Sequence, residues 1–289
     1  MALPPFRNEP LLDWTVPENR RRILEALDRA ESSLGREYPL AIGADRVKTG
    51  RCFPSLNPSK VSQEVGVCHA AGHEEVERAV RVAWDAFQTW SRVPPEERAA
   101  IFLRAAELLR RRRFDFIAWE VLEVGKTWPE ADAEVAEAID HLEYFARETL
   151  RYAEPRELVP FPSELNEMVY IPLGVGACIT PWNYPYGIGM GMTLGAIAAG
   201  NTVILKPAED ATVVTYLYYE LMMDAGLPSG VLNILAGYGE EAGDALVRHP
   251  RIRFVGFTGS KEVGKLVYER AAQVAPGQIW LKRVITEMG

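Results

Sequence analysis

Between Ile171 and Leu205 the chain carries no Asp, Glu, Lys, Arg or His. An uncharged run of this length is either a membrane span or a buried parallel strand–helix–strand unit. Pro172, Pro181 and Pro185 interrupt it, together with many glycines, Asn183 and Asn201. A bilayer would leave a backbone broken in this way without hydrogen-bond partners. The buried unit is therefore the reading to develop.

The run and the residues after it parse as alternating elements. Gly176 to Thr180 is short and apolar, which predicts a buried strand. Tyr186 to Ala199 is rich in small residues, which predicts a helix packed close to a sheet. Strands follow at Thr202–Leu205, Val231–Leu235 and Arg253–Phe257, with a helix at Ala211–Asp224 ended by Gly226 and Pro228. Such alternation predicts an α/β fold built on a doubly wound, Rossmann-like parallel sheet. Ligands of such sheets sit at the C-terminal ends of the strands. The residues just past those ends are Pro181-Trp182-Asn183, Lys206-Pro207-Ala208-Glu209 and Thr258-Gly259-Ser260.

The remainder of the chain fits one large or two ordinary domains within 289 residues. Residues 1–15 read as an extended arm and Pro17 to Gly35 as a helix. Strands are expected over Pro39–Val47 and Arg51–Pro58. Val76, Ala79, Val80, Ala83 and Phe87 recur at helical spacing over His73–Trp90. Two more helices run from Pro94 to about Val124, and a fourth from Glu130 to Tyr152. The four arginines Arg110–Arg113 read as a solvated helix end. Pro155–Pro162 and Glu167–Pro172 read as the two strands of a protruding hairpin. The expected organisation is an N-terminal helical wrap over 1–153, the hairpin over 154–172 and the Rossmann-like core over 173–289. A net charge of −8 disfavours a nucleic-acid partner. Three cysteines without CxxC spacing predict no metal site and suit a reducing compartment; with no signal-peptide pattern at the start, cytoplasm is the expected location.

Each strand-end residue has two readings. Ser260 opens a helix, where free N–H groups suit a phosphate, but it would also serve as an ordinary cap. Gly237-Tyr-Gly239-Glu-Glu-Ala-Gly243 has one residue too many for the G-x-G-x-x-G fingerprint and could be a simple turn. Lys206 and Glu209 could grip ribose hydroxyls or form a solvated ion pair. The Asn183 amide could donate to a developing oxyanion or shape a turn. Glu287, just beyond an apolar strand, is a general-base candidate or a surface glutamate.

Taken together and in this order, Ile179–Pro185 (ITPWNYP), Gly200–Glu209 (GNTVILKPAE), Gly226–Asn233 (GLPSGVLN), Phe257–Ser260 (FTGS) and Glu287–Gly289 (EMG) resemble the aldehyde dehydrogenase superfamily. Phe6–Pro10, Ala136–Asp140 and Pro276–Arg283 are similar to its bacterial 1-pyrroline-5-carboxylate dehydrogenase branch, which oxidises L-glutamate γ-semialdehyde to glutamate in proline breakdown. The resemblance implies NAD as cofactor, a small aldehyde as substrate and a homo-oligomer for the full-length protein. It assigns Asn183 to the oxyanion hole and Glu287 to activation of the hydrolytic water. Lys206 and Glu209 become the ribose pair, with Ala208 between them. Ser260 becomes the pyrophosphate contact, reached across Phe257, Thr258 and Gly259, and Val263 an adenine contact. Ile179, Thr180, Pro181 and Trp182 complete the cofactor surface with Gly239 and Gly243. Tyr184 and Glu137 would border the aldehyde tunnel.

One departure is large. The family's cysteine nucleophile belongs some thirty-odd residues beyond the position of Glu287, and Cys52, Cys68 and Cys178 match none of its motifs. The expectation is a cofactor-binding portion without its catalytic cysteine domain, inactive alone. The alternatives are an enzyme for another aldehyde and a non-catalytic dinucleotide-binding module. The hairpin is expected to assist oligomer formation.

Overall fold

The computed structural model describes residues 3–289; the first two residues of the expected arm lie outside them. In chain order the elements are α1 (Pro17–Glu31), β1 (Arg36–Tyr38), β2 (Leu40–Ile42), β3 (Asp45–Val47), β4 (Cys52–Leu56), β5 (Glu64–His69), α2 (His73–Trp90), α3 (Pro95–Arg111), α4 (Arg113–Glu123) and α5 (Trp128–Ala153). There follow β6 (Val175–Ile179), α6 (Pro185–Ala198), β7 (Thr202–Lys206), α7 (Thr212–Asp224), β8 (Leu232–Ile234), α8 (Asp244–Arg248), β9 (Phe254–Gly259), α9 (Lys261–Ala272) and β10 (Arg283–Met288).

The apolar periodicity of α2 becomes its buried face, Val76, Ala79, Val80 and Ala83. Its start is fixed by Glu75, whose carboxylate accepts the Gly72 N–H at 2.8 Å. The uncharged run becomes β6–α6–β7. All five residues of β7 are buried, and α6 buries Tyr186, Met190, Leu194 and Ile197.

One sheet has seven strands in the order β10-β9-β6-β7-β8-β2-β3. From β10 to β8 every pairing is parallel, and β2 joins β8 and β3 antiparallel. A second sheet holds β1, β5 and β4. From β6 the chain steps outward through α6 to β7 and α7 to β8, and α6 packs on α7. It then returns through α8 to β9 on the opposite side of β6 and continues through α9 to β10; α8 packs on α9 and α2. Right-handed crossovers running in opposite directions place these two helix groups on opposite faces. The direction reverses between β6 and β9, which is where a doubly wound sheet opens a crevice.

Several expectations need correcting. No strand forms over 154–172 among the described residues; the segment runs extended and exposed. A two-stranded hairpin is marginal in water without a third strand or a helix to cover its apolar face. The expected strand at 39–47 is split by Gly43, at φ +61°, into β2 and β3. β1 and β5 lay outside the expected strands, and β1, β2 and β3 have only three residues each, too few to show a period. The arginine run is not simply solvated. Arg113 is buried and its Nε donates to Asp132 Oδ1 at 2.7 Å, while Arg110 reaches Glu9 and Glu143, both at 2.9 Å. With Asp140 accepting the Glu9 N–H at 2.6 Å, this network ties the arm to α5.

The 154–172 segment leaves Val159, Leu165 and Ile171 at 89%, 90% and 78% exposure. Contiguous exposed apolar side chains drive association. Light scattering is expected to show concentration-dependent self-association, relieved when Val159, Leu165 and Ile171 are changed together to Ser. A clean monomer at high concentration would contradict this.

Candidate cofactor and active site

The C-terminal tips of β7, β6, β9 and β10 line up by register. Lys206 pairs with Ile179, Ile179 with Phe257, and Phe257 with Thr286. One residue further, Glu287 stands opposite Thr258. Glu287 is therefore inside β10 rather than beyond it, and its side chain is exposed. Thr258 and Gly259 likewise belong to β9, and Ser260 caps α9. Parallel pairing thus brings together at one edge residues that are 81 positions apart from Lys206 to Glu287.

Thr180 continues the ladder, its N–H donating to Lys206 O at 3.1 Å. Pro181, Trp182 and Asn183 then turn the chain into α6, with Trp182 and Asn183 exposed. Lys206 is buried at 3% exposure, and its Nζ donates to Glu209 Oε1 at 3.0 Å. Burial lowers the pKa of its ammonium and the Glu209 carboxylate opposes that. Pro207 and Ala208 separate Lys206 from the short turn Glu209–Ala211, which carries its partner Glu209. Gly239 and Gly243 bound a single π-type turn leading into α8.

Ser260 does the ordinary work expected of a cap: its Oγ accepts the Val263 N–H at 3.3 Å. Ser260, Lys261, Glu262 and Val263 are all exposed, so the first turn of α9 faces solvent at the switch point. The starts of α6 and α7 are different. Glu134 Oε1 accepts the Tyr186 and Gly187 N–H groups at 2.6 and 3.0 Å. Glu123 accepts those of Val213 and Val214 at 2.8 and 2.7 Å and the Ser55 hydroxyl at 2.6 Å. Two helix N-termini are thus filled from within by buried carboxyl groups.

Tyr184 and Glu137 do meet: the phenol donates to Glu137 Oε2 at 2.8 Å. Burial first, then this bond, raises the phenol pKa. The Tyr184 ring lies against Gly187, where an added Cβ would come within 2.2 Å of it. Lys126 Nζ sits 4.2 Å from the ring centroid and pairs with Glu134. Glu137 also lines a cavity of about 540 Å³ between α5 and the arm, with Phe6, Glu9, Asp140 and His141. Two further cavities, of about 400 and 500 Å³, lie against Trp14–Trp128 and along α5–α6. None of these three is lined by Asn183, Ser260 or Glu287, which are exposed.

Sequence reasoning missed Glu120, Glu123, Lys126 and Glu134. A signal existed, since Glu120 and Glu123 interrupt the apolar run FDFIAWEVLEV of α4 three residues apart. Burial pushes both carboxyl pKa values up, that of Glu123 to about 7 against bonds from Ser55, Val214 and Val213. A carboxyl whose folded pKa exceeds its unfolded value binds more protons when folded. Its contribution is complete below the unfolded pKa of 4.5 and is lost as pH rises through about 7. The stability of the natural chain relative to the Glu123→Gln variant is therefore expected to fall by about 2.5 kcal/mol from pH 5 to pH 8. Urea unfolding of both proteins at the two pH values measures it, and a flat difference would refute it.

Among the described residues no group of His, Cys, Asp and Glu is placed to hold a metal ion, and no helix is long and apolar enough to cross a membrane. The model of the aldehyde dehydrogenase family matches residues 46–289. The 1-pyrroline-5-carboxylate dehydrogenase of Geobacillus thermodenitrificans is 52% identical over 285 residues, 99% of this chain and 55% of that protein. A Thermus 1-pyrroline-5-carboxylate dehydrogenase with bound NAD superposes with a TM-score of 0.98 at 52% identity, covering 100% of this chain and 56% of that one. The NAD-bound enzyme of Mycobacterium tuberculosis gives 0.92 at 29% identity, covering 100% and 54%. The chain thus spans about half the length of the relatives it matches. On its sequence and its fold together, this chain belongs to the aldehyde dehydrogenase family.

Proposed function

We propose that this chain supplies the cofactor-binding half of an NAD-dependent dehydrogenase that oxidises L-glutamate γ-semialdehyde to glutamate in proline breakdown. One observation carries the reading. The strand tips present Lys206, Ile179 and Phe257 in register with Glu287 one residue further, and the whole chain superposes, with a TM-score of 0.98 at 52% identity, on a Thermus 1-pyrroline-5-carboxylate dehydrogenase with bound NAD.

The residues fit a dinucleotide. The first turn of α9 is open to solvent, whereas those of α6 and α7 are already filled by Glu134 and Glu123. A pyrophosphate suits the open one. Lys206 and Glu209 would hold ribose hydroxyls, and exposed Val263 would flank the adenine. Ile179 to Trp182, Gly239 and Gly243 complete the surface. A Glu209 carboxylate on the 2′-hydroxyl repels a 2′-phosphate, which favours NAD over NADP. When bound, NAD supplies the hydride acceptor. Asn183 would donate its amide N–H to the developing oxyanion, and Glu287 would take a proton from the attacking water. Tyr184 and Glu137 would border the aldehyde.

Alone, the chain oxidises no aldehyde. The family's chemistry needs a reactive thiol at this edge. Cys178 precedes Ile179 but is buried, with its thiol pushed up to about 12; Cys68 is buried too, and Cys52 stands on the other sheet. Calorimetric titration is expected to show NAD binding, weaker NADP binding and no NADH formation from glutamate semialdehyde. Absence of NAD binding would overturn the cofactor role, and NADH formation would overturn the inactivity.

A further inference from the structure

Away from the strand tips, one row of side chains has the make-up of an activated nucleophile. In the three-stranded sheet Glu37 on β1 is in register with Val67 on β5, and Cys52 on β4 with His69 on β5. Val67 and His69 are two residues apart and share a face, so Cys52 lies directly across from His69 and Glu37 diagonally across from it, all on one face of the three strands. The distances agree. Cys52 Sγ is 3.5 Å from His69 Nδ1, and His69 Nε2 is 3.8 Å from Glu37 Oε2. Nδ1 also faces the Thr49 backbone, with its N at 2.9 Å and its O at 3.1 Å; in the tautomer that accepts the Thr49 N–H, Nδ1 is unprotonated and the ring proton is on Nε2.

His69 is only 4% exposed and its Nε2 has no hydrogen-bond partner, whereas Cys52 is exposed. Of the nearby cations, Lys48 pairs with the same Glu37 Oε2 that faces His69, and Arg51 pairs with Glu241 at 2.7 Å. A nucleophile beside a base that is itself faced by a carboxylate is the general pattern of an activated side chain. The other two cysteines are buried and out of reach of reagents.

We propose that Cys52 is a modification site, a thiol that adds to small neutral α,β-unsaturated carbonyl compounds with His69 as its base. The thiol proton passes to Nδ1, which gives up its bond from the Thr49 N–H, as the sulfur attacks the β-carbon. The S–C bond forms while the C=C π pair shifts toward the carbonyl. The α-carbon then takes the proton from the imidazolium, whose Nε2–H faces Glu37. The addition balances with no oxidant and no leaving group.

N-ethylmaleimide is the probe, with intact-mass and peptide-mapping mass spectrometry as the readout. The native chain is expected to gain one adduct, at Cys52. The rate is expected to drop roughly tenfold or more in His69→Asn, as for loss of a positioned base. An unmodified Cys52, or an unchanged rate in a folded His69→Asn protein, would overturn the assignment. His69 is buried, so circular dichroism must first show that this variant folds. If it does not, two other measurements decide. Glu37→Gln, at an exposed position, is expected to slow the reaction roughly threefold. Cys52 in the native chain is also expected to react faster than in the urea-unfolded chain, and a native rate equal to or below the unfolded one refutes the proposal.

Discussion

Replacing Glu134 with alanine is expected to lower the unfolding free energy by about 3–5 kcal/mol, as breaking a buried ion pair does. The Glu134 side chain is fully buried, and it serves two partners at once. Its Oε1 takes the first N–H groups of α6, and its Oε2 holds Lys126, whose side chain is 12% exposed. Without it, two helix N–H groups lose their acceptor. The Lys126 ammonium keeps the more distant Glu120 Oε1, at 3.9 Å, and the face of the Tyr184 ring. At about 2 °C per kcal/mol for a chain of this size, the melting temperature should drop by roughly 6–10 °C. Glu134→Gln retains an acceptor oxygen but not the charge, and should fall between. The effect bears on function, because α6 begins at Pro185, two residues after Asn183. A loss below about 1 kcal/mol in urea titrations would mean that packing alone holds the start of α6.

The second large effect concerns binding. Lys206→Met keeps an apolar stem of similar length and removes the ammonium. Bonds to charged groups contribute about 1.5–3 kcal/mol, so NAD affinity should weaken roughly ten- to a hundredfold. Stability should change little, because the variant removes a buried charge along with its bond to the partly exposed Glu209. The depressed pKa of Lys206 adds a pH signature. Affinity should fade on the alkaline side earlier than an exposed lysine would dictate, because the ammonium is lost sooner. Calorimetry on both proteins checks the two points. Equal NAD affinity in the Met variant would remove Lys206 from the proposed ribose pair while leaving the fold assignment untouched.

Much of the fold was readable from local pattern. The uncharged run could only be a buried β–α–β unit once its prolines ruled out a membrane. His73–Trp90 agrees with α2 at both ends because its apolar spacing is long and regular. The three-residue strands β1, β2 and β3 were too short to carry any period. The hairpin over 154–172 had the residues of two strands, yet Val159, Leu165 and Ile171 are left exposed, and the segment stays extended.

At the candidate site the division is the same. The residue types at the strand tips, Asn183, Lys206, Glu209 and Ser260, followed from sequence, because a strand's end and the turn after it are written in adjacent positions. That Glu287 lies within β10, level with Thr258, came from pairing between strands. The filling of the α6 and α7 starts by Glu134 and Glu123 joins residues 52 and 90 positions apart. The burial of Arg113 against Asp132, 19 positions on, likewise came from packing, at a run that read as a solvated helix end. A buried charge takes its partner from whatever the packing of α4 and α5 brings alongside, and no spacing along the chain encodes that choice. The sequence by itself determined the long helices, the central strands and the residue types at their tips; the tertiary structure decided which charges are buried together, because only packing removes their water.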